Sequence, residues 1–201
     1  MPGFTVWLTG CPGAGKTTIA RLLRQQLTAL GRRVEVLDGD EVRQALSPEL
    51  GFTRRDRDTN VRRLGFLANL LSRNGVVTIV AAVSPYREGR DQVRHDHQAD
   101  FIEVFVDCPI GELVRRDQKG LYSRALRGEV AGVTGVSDPY EPPVAPEVHV
   151  HTDRESPDVS CALVLARLGE RGLIAMGQDT AVTAASQAVT GSAPITIRRR
   201  A

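Results

Sequence analysis

The sequence predicts an α/β fold, three layers with a central, mostly parallel β-sheet flanked by helices and a lid segment. Short apolar runs alternate with amphipathic stretches across residues 1–174, the pattern of repeated βαβ units. A glycine-rich turn, residues 10–17, joins the first apolar run to the first helical stretch, and ligands of such sheets sit at strand carboxyl ends. Composition is ordinary for a globular chain: 201 residues, 41% hydrophobic and 25% charged, enough to bury a core without staples.

The elements follow in order. Residues 4–9 (FTVWLT), 34–37 (VEVL), 76–83 (VVTIVAAV), 101–106 (FIEVFV) and, more weakly, 148–151 (VHVH) read as buried strands. Residues 17–30 place Ile19, Leu22, Leu23, Leu27 and Leu30 at helical spacing, and 59–73 do the same with Val61, Leu64, Leu67, Ala68 and Leu71. Gly31 and Gly75 stand where helix C-caps belong. Residues 119–147 hold several Gly and Pro and no strand pattern, which predicts a lid. Residues 157–172 predict a closing helix. Residues 175–201 turn to Ala, Thr, Ser and Gly and read as a disordered tail.

Charge and cysteine usage exclude several classes. Twenty-six basic against 24 acidic residues leave a net charge of +2, so no strong field argues for nucleic acid or a membrane surface. No apolar run reaches membrane-span length, and the N-terminus has no signal-peptide pattern. The three widely spaced cysteines suit a reducing compartment, the cytoplasm. Of the 26 basic residues, 24 are arginine; only Lys16 and Lys119 offer an ammonium. A point charge and a guanidinium are not interchangeable donors, which singles out both lysines. Two His-x-His pairs, His95/His97 and His149/His151, lack further ligands in sequence and read as incidental. Cys11, beside a helix N-terminus, is expected to have a lowered pKa.

The strongest motif is Gly10-Cys11-Pro12-Gly13-Ala14-Gly15-Lys16-Thr17, which fits G-x-x-x-x-G-K-[ST] between a strand and a helix. Its backbone N–H groups, with Thr18 behind them, wrap phosphates. Lys16 reaches the β- and γ-phosphates, and the Thr17 hydroxyl ligates Mg²⁺. The motif indicates a P-loop enzyme taking a nucleoside triphosphate and leaves the acceptor open. The second strand ends in Asp38-Gly39-Asp40, two carboxylates near the cradle. A kinase needs one to take the acceptor's proton and one to serve the metal; the plainer alternative is that Asp40 caps a helix starting at Glu41. Arg43, Arg57, Asn60, Arg87 and Lys119 are donors expected to converge across the cradle, with Phe52 able to stack on a ring. Such a set suits an anionic acceptor.

These stretches together, GCPGAGKT, LDGDEVR, GFTRRDRDTNVRR, SPYR, EVFVDCP, RRDQKGLY and DPYEPP-x-x-PE, resemble the adenylylsulfate kinase family from about residue 4 to 170. The resemblance implies a P-loop kinase fold, usually a homodimer, with Mg²⁺. It implies transfer of the ATP γ-phosphate to the ribose 3′-hydroxyl of adenosine 5′-phosphosulfate in sulfate assimilation. By motif it assigns Pro12 to Thr17 and Arg116 to ATP, and Asp38 and Asp40 to metal and base. It assigns Arg43, Phe52, Arg57, Asn60, Val83, Ser84, Lys119, Gly132 and Val133 to the acceptor. The family's serine in SP-x-R is often labelled a phosphoserine; here Ser84 is expected to hydrogen-bond substrate instead, since direct transfer needs no covalent relay. The family's lid carries Phe where this chain has Val133, which predicts a thinner clamp opposite Phe52. Two alternatives stay open: a related kinase for another small hydroxyl acceptor, and a non-catalytic nucleotide-binding partner of a sulfurylase.

Overall fold

Five parallel strands carry the fold in the order β2-β3-β1-β4-β5: β1 (Phe4–Thr9), β2 (Val34–Asp38), β3 (Val77–Ala81), β4 (Asp100–Asp107) and β5 (Val148–His151). The computed structural model describes residues 2–117 and 120–175. The predicted tail from 176 onward, and Lys119, lie outside the described residues.

Period-two alternation explains why β1 is buried along its whole length. Phe4, Val6 and Leu8 face one side, in a core shared with Ile79, Val104 and Val106. The helices covering that side are α1 (Lys16–Ala29), through Ile19, Leu23 and Leu27, and α7 (Pro157–Glu170), through Val164 and Leu168. Trp7 faces the other side with Val80 and Phe101. There it meets α3 (Arg54–Arg73), through Val61, Leu64 and Ala68, and α4 (Arg87–Asp96), through Val93. The sheet is thus apolar on both faces, as a buried parallel sheet must be.

The remaining helices, α2 (Gly39–Leu46), α5 (Ile110–Arg115) and α6 (Leu121–Leu126), are short and line the carboxyl end of the sheet; α6 gives the predicted lid segment its one helix. Gly31 and Gly75 end α1 and α3 with positive φ. The N–H groups of Arg32 and Val76 reach back to the carbonyls of Leu27 and Leu71, and those of Gly31 and Gly75 to Thr28 and Ser72; both ends are Schellman motifs, as predicted. The third strand is shorter than predicted. Pairing stops at Ala81, and the chain leaves the sheet through Ser84, whose φ of 38° no strand accommodates.

Candidate active site

The phosphate loop spans the carboxyl end of β1 and the start of α1. Gly10 is required there: a Cβ would stand 2.3 Å from the Val106 carbonyl oxygen. Gly13 and Gly15 hold positive φ, and Gly15 is the α1 N-cap. The Lys16 ammonium folds over the loop and donates to the carbonyls of Gly10 and Cys11, each at 2.8 Å. Burial pulls its pKa down to about 8, against the opposing pull of Cys11, Asp40 and Asp38. Burial likewise pushes the Cys11 thiol up, outweighing Lys16 and correcting the expected lowering. Two supports went unnoticed in the sequence. Tyr122 Oη donates to the Pro12 carbonyl at 2.7 Å, and Thr152 Oγ1 donates to the Ala14 carbonyl at 2.9 Å. Arg116 donates to the Thr152 carbonyl at 2.6 Å and to Glu112 at 2.7 Å, which sets its guanidinium beside the loop.

Thr17 and Thr18 are exposed at the mouth of the loop. Thr17 Oγ1 donates to Asp38 Oδ2 at 2.9 Å, while Asp38 Oδ1 accepts from the Asp40 N–H at 3.0 Å. Asp38, not Asp40, is therefore the N-cap of α2, and Asp40 projects exposed from its first turn. Gly39 matters for close approach: a Cβ would lie 3.1 Å from Ala82 Cβ and 3.2 Å from the Ala81 carbonyl.

On the acceptor side Phe52 is 65% exposed. The Arg43 and Arg57 guanidinium carbons stand 4.4 and 5.5 Å from its ring centre. Arg43 is held by the carbonyls of Leu50 and Gly51, and Arg57 by those of Phe52 and Gly132 and by Asp138 at 3.1 Å. Asn60 is buried on α3, and among the described residues its Oδ1 has no hydrogen-bond partner. Arg87 does not join this group; its guanidinium holds the Pro142 carbonyl at 3.0 and 3.2 Å.

Two expected residues sit elsewhere than predicted. Ser84 is 3% exposed; its Oγ accepts from Trp7 Nε1 at 3.1 Å and donates to Thr9 Oγ1 at 2.9 Å. Its hydroxyl is engaged by the core, and its backbone is left-handed at φ 38°. Val133 is 5% exposed within the α1/α7-side core, so it does not stand open across from Phe52. Gly132 lies beside Phe52 instead, a Cβ there falling 3.7 Å from Phe52 Cβ. Val83 is half-buried and its carbonyl accepts from Thr9 Oγ1 at 2.9 Å.

The residue that organises this loop is Arg90, 1% exposed. It donates to the Ser84 carbonyl at 2.6 Å, to the Glu141 carbonyl at 2.6 Å and to Glu103 at 2.8 Å. Glu141 N–H donates to the Pro85 carbonyl at 2.8 Å, and Tyr86 Oη donates to Asp138 at 3.2 Å. The DPYEPP segment, 138–143, is thereby clasped to the SPYR loop, 84–87. The sequence carries no local signal for it, since the stretch 87–96 has almost no apolar residue.

The chain is similar to known proteins in both sequence and fold. The sequence profile described as adenylylsulphate kinase matches residues 2–151. The adenylyl-sulfate kinase of Picosynechococcus sp. is 52% identical over 172 residues, covering 86% of this chain and 97% of that protein. That of Chloroflexus aurantiacus is 57% identical over 151 residues, covering 75% of this chain and 81% of that protein. The APS kinase of Mycobacterium tuberculosis, solved in complex with AMPPNP and APS, superposes with a TM-score of 0.79 at 41% identity, covering 84% of this chain and 99% of that one.

Proposed function

The chain belongs to the adenylylsulphate kinase family and is an ATP-dependent adenylyl-sulfate kinase; from that premise we propose how its own residues divide the work. The observation that carries the reading is the run of contacts from the buried Lys16 and the Thr17–Asp38 pair, through α2 with Asp38 as its N-cap, to Arg43 and Arg57 beside the exposed Phe52 ring. The loop 10–17 with Lys16, Thr18 and Arg116 binds the triphosphate. On binding, the Lys16 ammonium exchanges its two carbonyl partners for phosphate oxygens, a stronger, charge-assisted pairing. Thr17 and Asp38 would hold Mg²⁺; their oxygen donors suit a hard cation, which supplies positive charge against the phosphate oxygens.

The acceptor is adenosine 5′-phosphosulfate. Phe52 stacks on its base, Arg43 and Arg57 face its anionic groups, and the buried Asn60 Oδ1, without a partner among the described residues, accepts one of its hydrogen-bond donors. Lys119 is proposed as a further donor. Asp40 takes the proton from the ribose 3′-hydroxyl as it attacks the γ-phosphorus in line, so no phosphorylated serine intervenes. The expected homodimer is supported by the apolar patch of Leu46, Phe66 and Leu70 left exposed on α2 and α3. Three free thiols among the described residues support a reducing compartment. ADP release by the purified chain, followed with and without adenosine 5′-phosphosulfate, tests the assignment. Acceptor-dependent release is expected. Release independent of the acceptor is hydrolysis, the γ-phosphate passing to water, and would contradict the assignment; no release under either condition would contradict it too, and trials of other small hydroxyl compounds would then separate a related kinase from a binding-only role.

A further inference from the structure

The sequence showed His149 and His151 as a bare i, i+2 pair; the fold supplies the missing partner. Strand β5 pairs with β4 in the register Phe105↔His149 and Asp107↔His151. Side chains two apart on a strand share a face, so Phe105, Asp107, His149 and His151 form one block on the sheet. Val104, Val106, Val148 and Val150 point the other way, into the α1/α7-side core. His149 Nε2 lies 3.1 Å and His151 Nδ1 3.6 Å from the same oxygen, Asp107 Oδ2. One ligand atom from each of the three lies within 4.8 Å of the other two. The His149 ring stacks on Phe105 with centroids 4.7 Å apart, and Phe105 stacks in turn on Tyr140 at 5.8 Å. The rings are therefore held on one side and open on the other, where all three ligands are partly solvent-exposed.

We propose that Asp107, His149 and His151 form a second metal site, one that takes a borderline divalent ion of the Zn²⁺ type. Four-coordinate zinc with nitrogen and oxygen ligands at about 2.0–2.1 Å has ligand-to-ligand edges of about 3.3 Å. The two contacts to Asp107 bracket that edge and the two histidine nitrogens lie within 4.8 Å of each other, so side-chain rotations close the set. Two imidazoles and a carboxylate select zinc, cobalt or nickel over magnesium, which prefers oxygen donors and keeps its waters. The site is separate from the one proposed for Mg²⁺. Asp38 ends β2, and strands β3 and β1 stand between it and β4. It does back onto the phosphate loop: Thr152, next to His151, donates its N–H to the Asp107 carbonyl at 3.0 Å and its hydroxyl to the Ala14 carbonyl.

The test is a titration of the full, nucleotide-free chain with Zn²⁺ against a competing chromophoric chelator, repeated on the double variant His149→Gln/His151→Gln and on Asp38→Asn. The expected result is one tightly bound Zn²⁺ per chain. Affinity should drop by more than about 100-fold in the double variant, beyond the 10–100-fold typical of losing only an outer-shell partner. Asp38→Asn should bind as wild type does. Matched circular dichroism secures the fold of each variant, and both histidines are exposed enough that truncation leaves no cavity. Co²⁺ serves as a second probe and should give visible bands of a four- or five-coordinate nitrogen and oxygen site. Equal Zn²⁺ affinity in the double variant, a thiolate-to-cobalt charge-transfer band implicating Cys11, or no stoichiometric Zn²⁺ in the wild type would each overturn the proposal.

Discussion

Removing one buried oxygen separates a structural Ser84 from a catalytic one. In Ser84→Ala the Trp7 Nε1–H loses its acceptor and Thr9 Oγ1 loses a donor, both at positions with no exposure. Thr9 retains the Val83 carbonyl and the Tyr140 hydroxyl, each at 2.9 Å, so the orphaned indole N–H dominates. An unsatisfied buried donor costs about 1–3 kcal/mol. At about 2–4 °C per kcal/mol for a chain of this size, the melting temperature should fall by roughly 4–8 °C for a 2 kcal/mol loss. Ser84→Gly loses the same oxygen but relieves the left-handed backbone at φ 38°, so it should be more stable than Ser84→Ala by about 0.5–1 kcal/mol. Both should turn over within a few-fold of wild type, since the hydroxyl is buried and already engaged by Trp7 and Thr9. Differential scanning calorimetry, steady-state kinetics and emission from Trp7, the single tryptophan, read the three consequences. A stable but inactive Ser84→Ala, or a phosphoserine at Ser84 formed at the rate of turnover, would refute the reasoning.

Other consequences follow from the same geometry. Lys16 loses its proton near pH 8 in the free enzyme, whereas bound phosphates favour the ammonium. kcat/KM for ATP should therefore fall as pH rises above about 8, with proton uptake on ATP binding detectable by calorimetry in buffers of different ionisation heat; a flat profile to pH 10 contradicts this. Asp40→Asn keeps the exposed side chain's shape but cannot accept the ribose proton, so kcat should drop about 10²–10⁴-fold with the acceptor KM little changed; a change confined to KM makes Asp40 a binding residue. Val133→Phe adds a ring where the core is already filled. It should destabilise by about 1–3 kcal/mol, read by urea unfolding, without tightening the acceptor; a stable variant with a lower acceptor KM restores the clamp predicted from sequence. Burial holds the His97 pKa down to about 4, while its ring accepts or donates at Thr5 Oγ1 at 2.8 Å. Below pH 6.5 the unfolded chain binds this proton and the folded one does not. About 2–3 kcal/mol of stability should thus be lost as pH falls from 6.5 to 4, and His97→Gln should lose that dependence in acid unfolding.

How much was legible in the sequence depended on whether the cause was local. The strands and the helices α1, α3 and α7 announce themselves because each carries an apolar stripe of its own, buried in most of them and half-buried in the edge strand β2. The phosphate loop and Asp38-Gly39-Asp40 are legible for the same reason: their chemistry is written in adjacent residues. Helix α4 was not, since REGRDQVRHD buries only Arg90 and Val93. It is anchored by an arginine whose partners, Ser84, Glu103 and Glu141, are scattered along the chain. The burial of Ser84 and Val133 is not legible either, for the same reason. Trp7, 77 positions from Ser84, takes its hydroxyl, and Val133 is drawn into a core that no local pattern reveals. The Asp107–His149–His151 block depends on strand register, which a single strand's sequence does not specify.

The central claim is that this chain moves the ATP γ-phosphate to the ribose 3′-oxygen of adenosine 5′-phosphosulfate. The most direct measurement follows an isotopically labelled γ-phosphate through turnover with Mg²⁺ and that acceptor and identifies the product by phosphorus NMR. One labelled phosphate should appear on the 3′-oxygen per ADP released, and that product should be lost in Lys16→Ala while the variant remains folded. Label recovered only as inorganic phosphate, or on any position other than the 3′-oxygen, would contradict it.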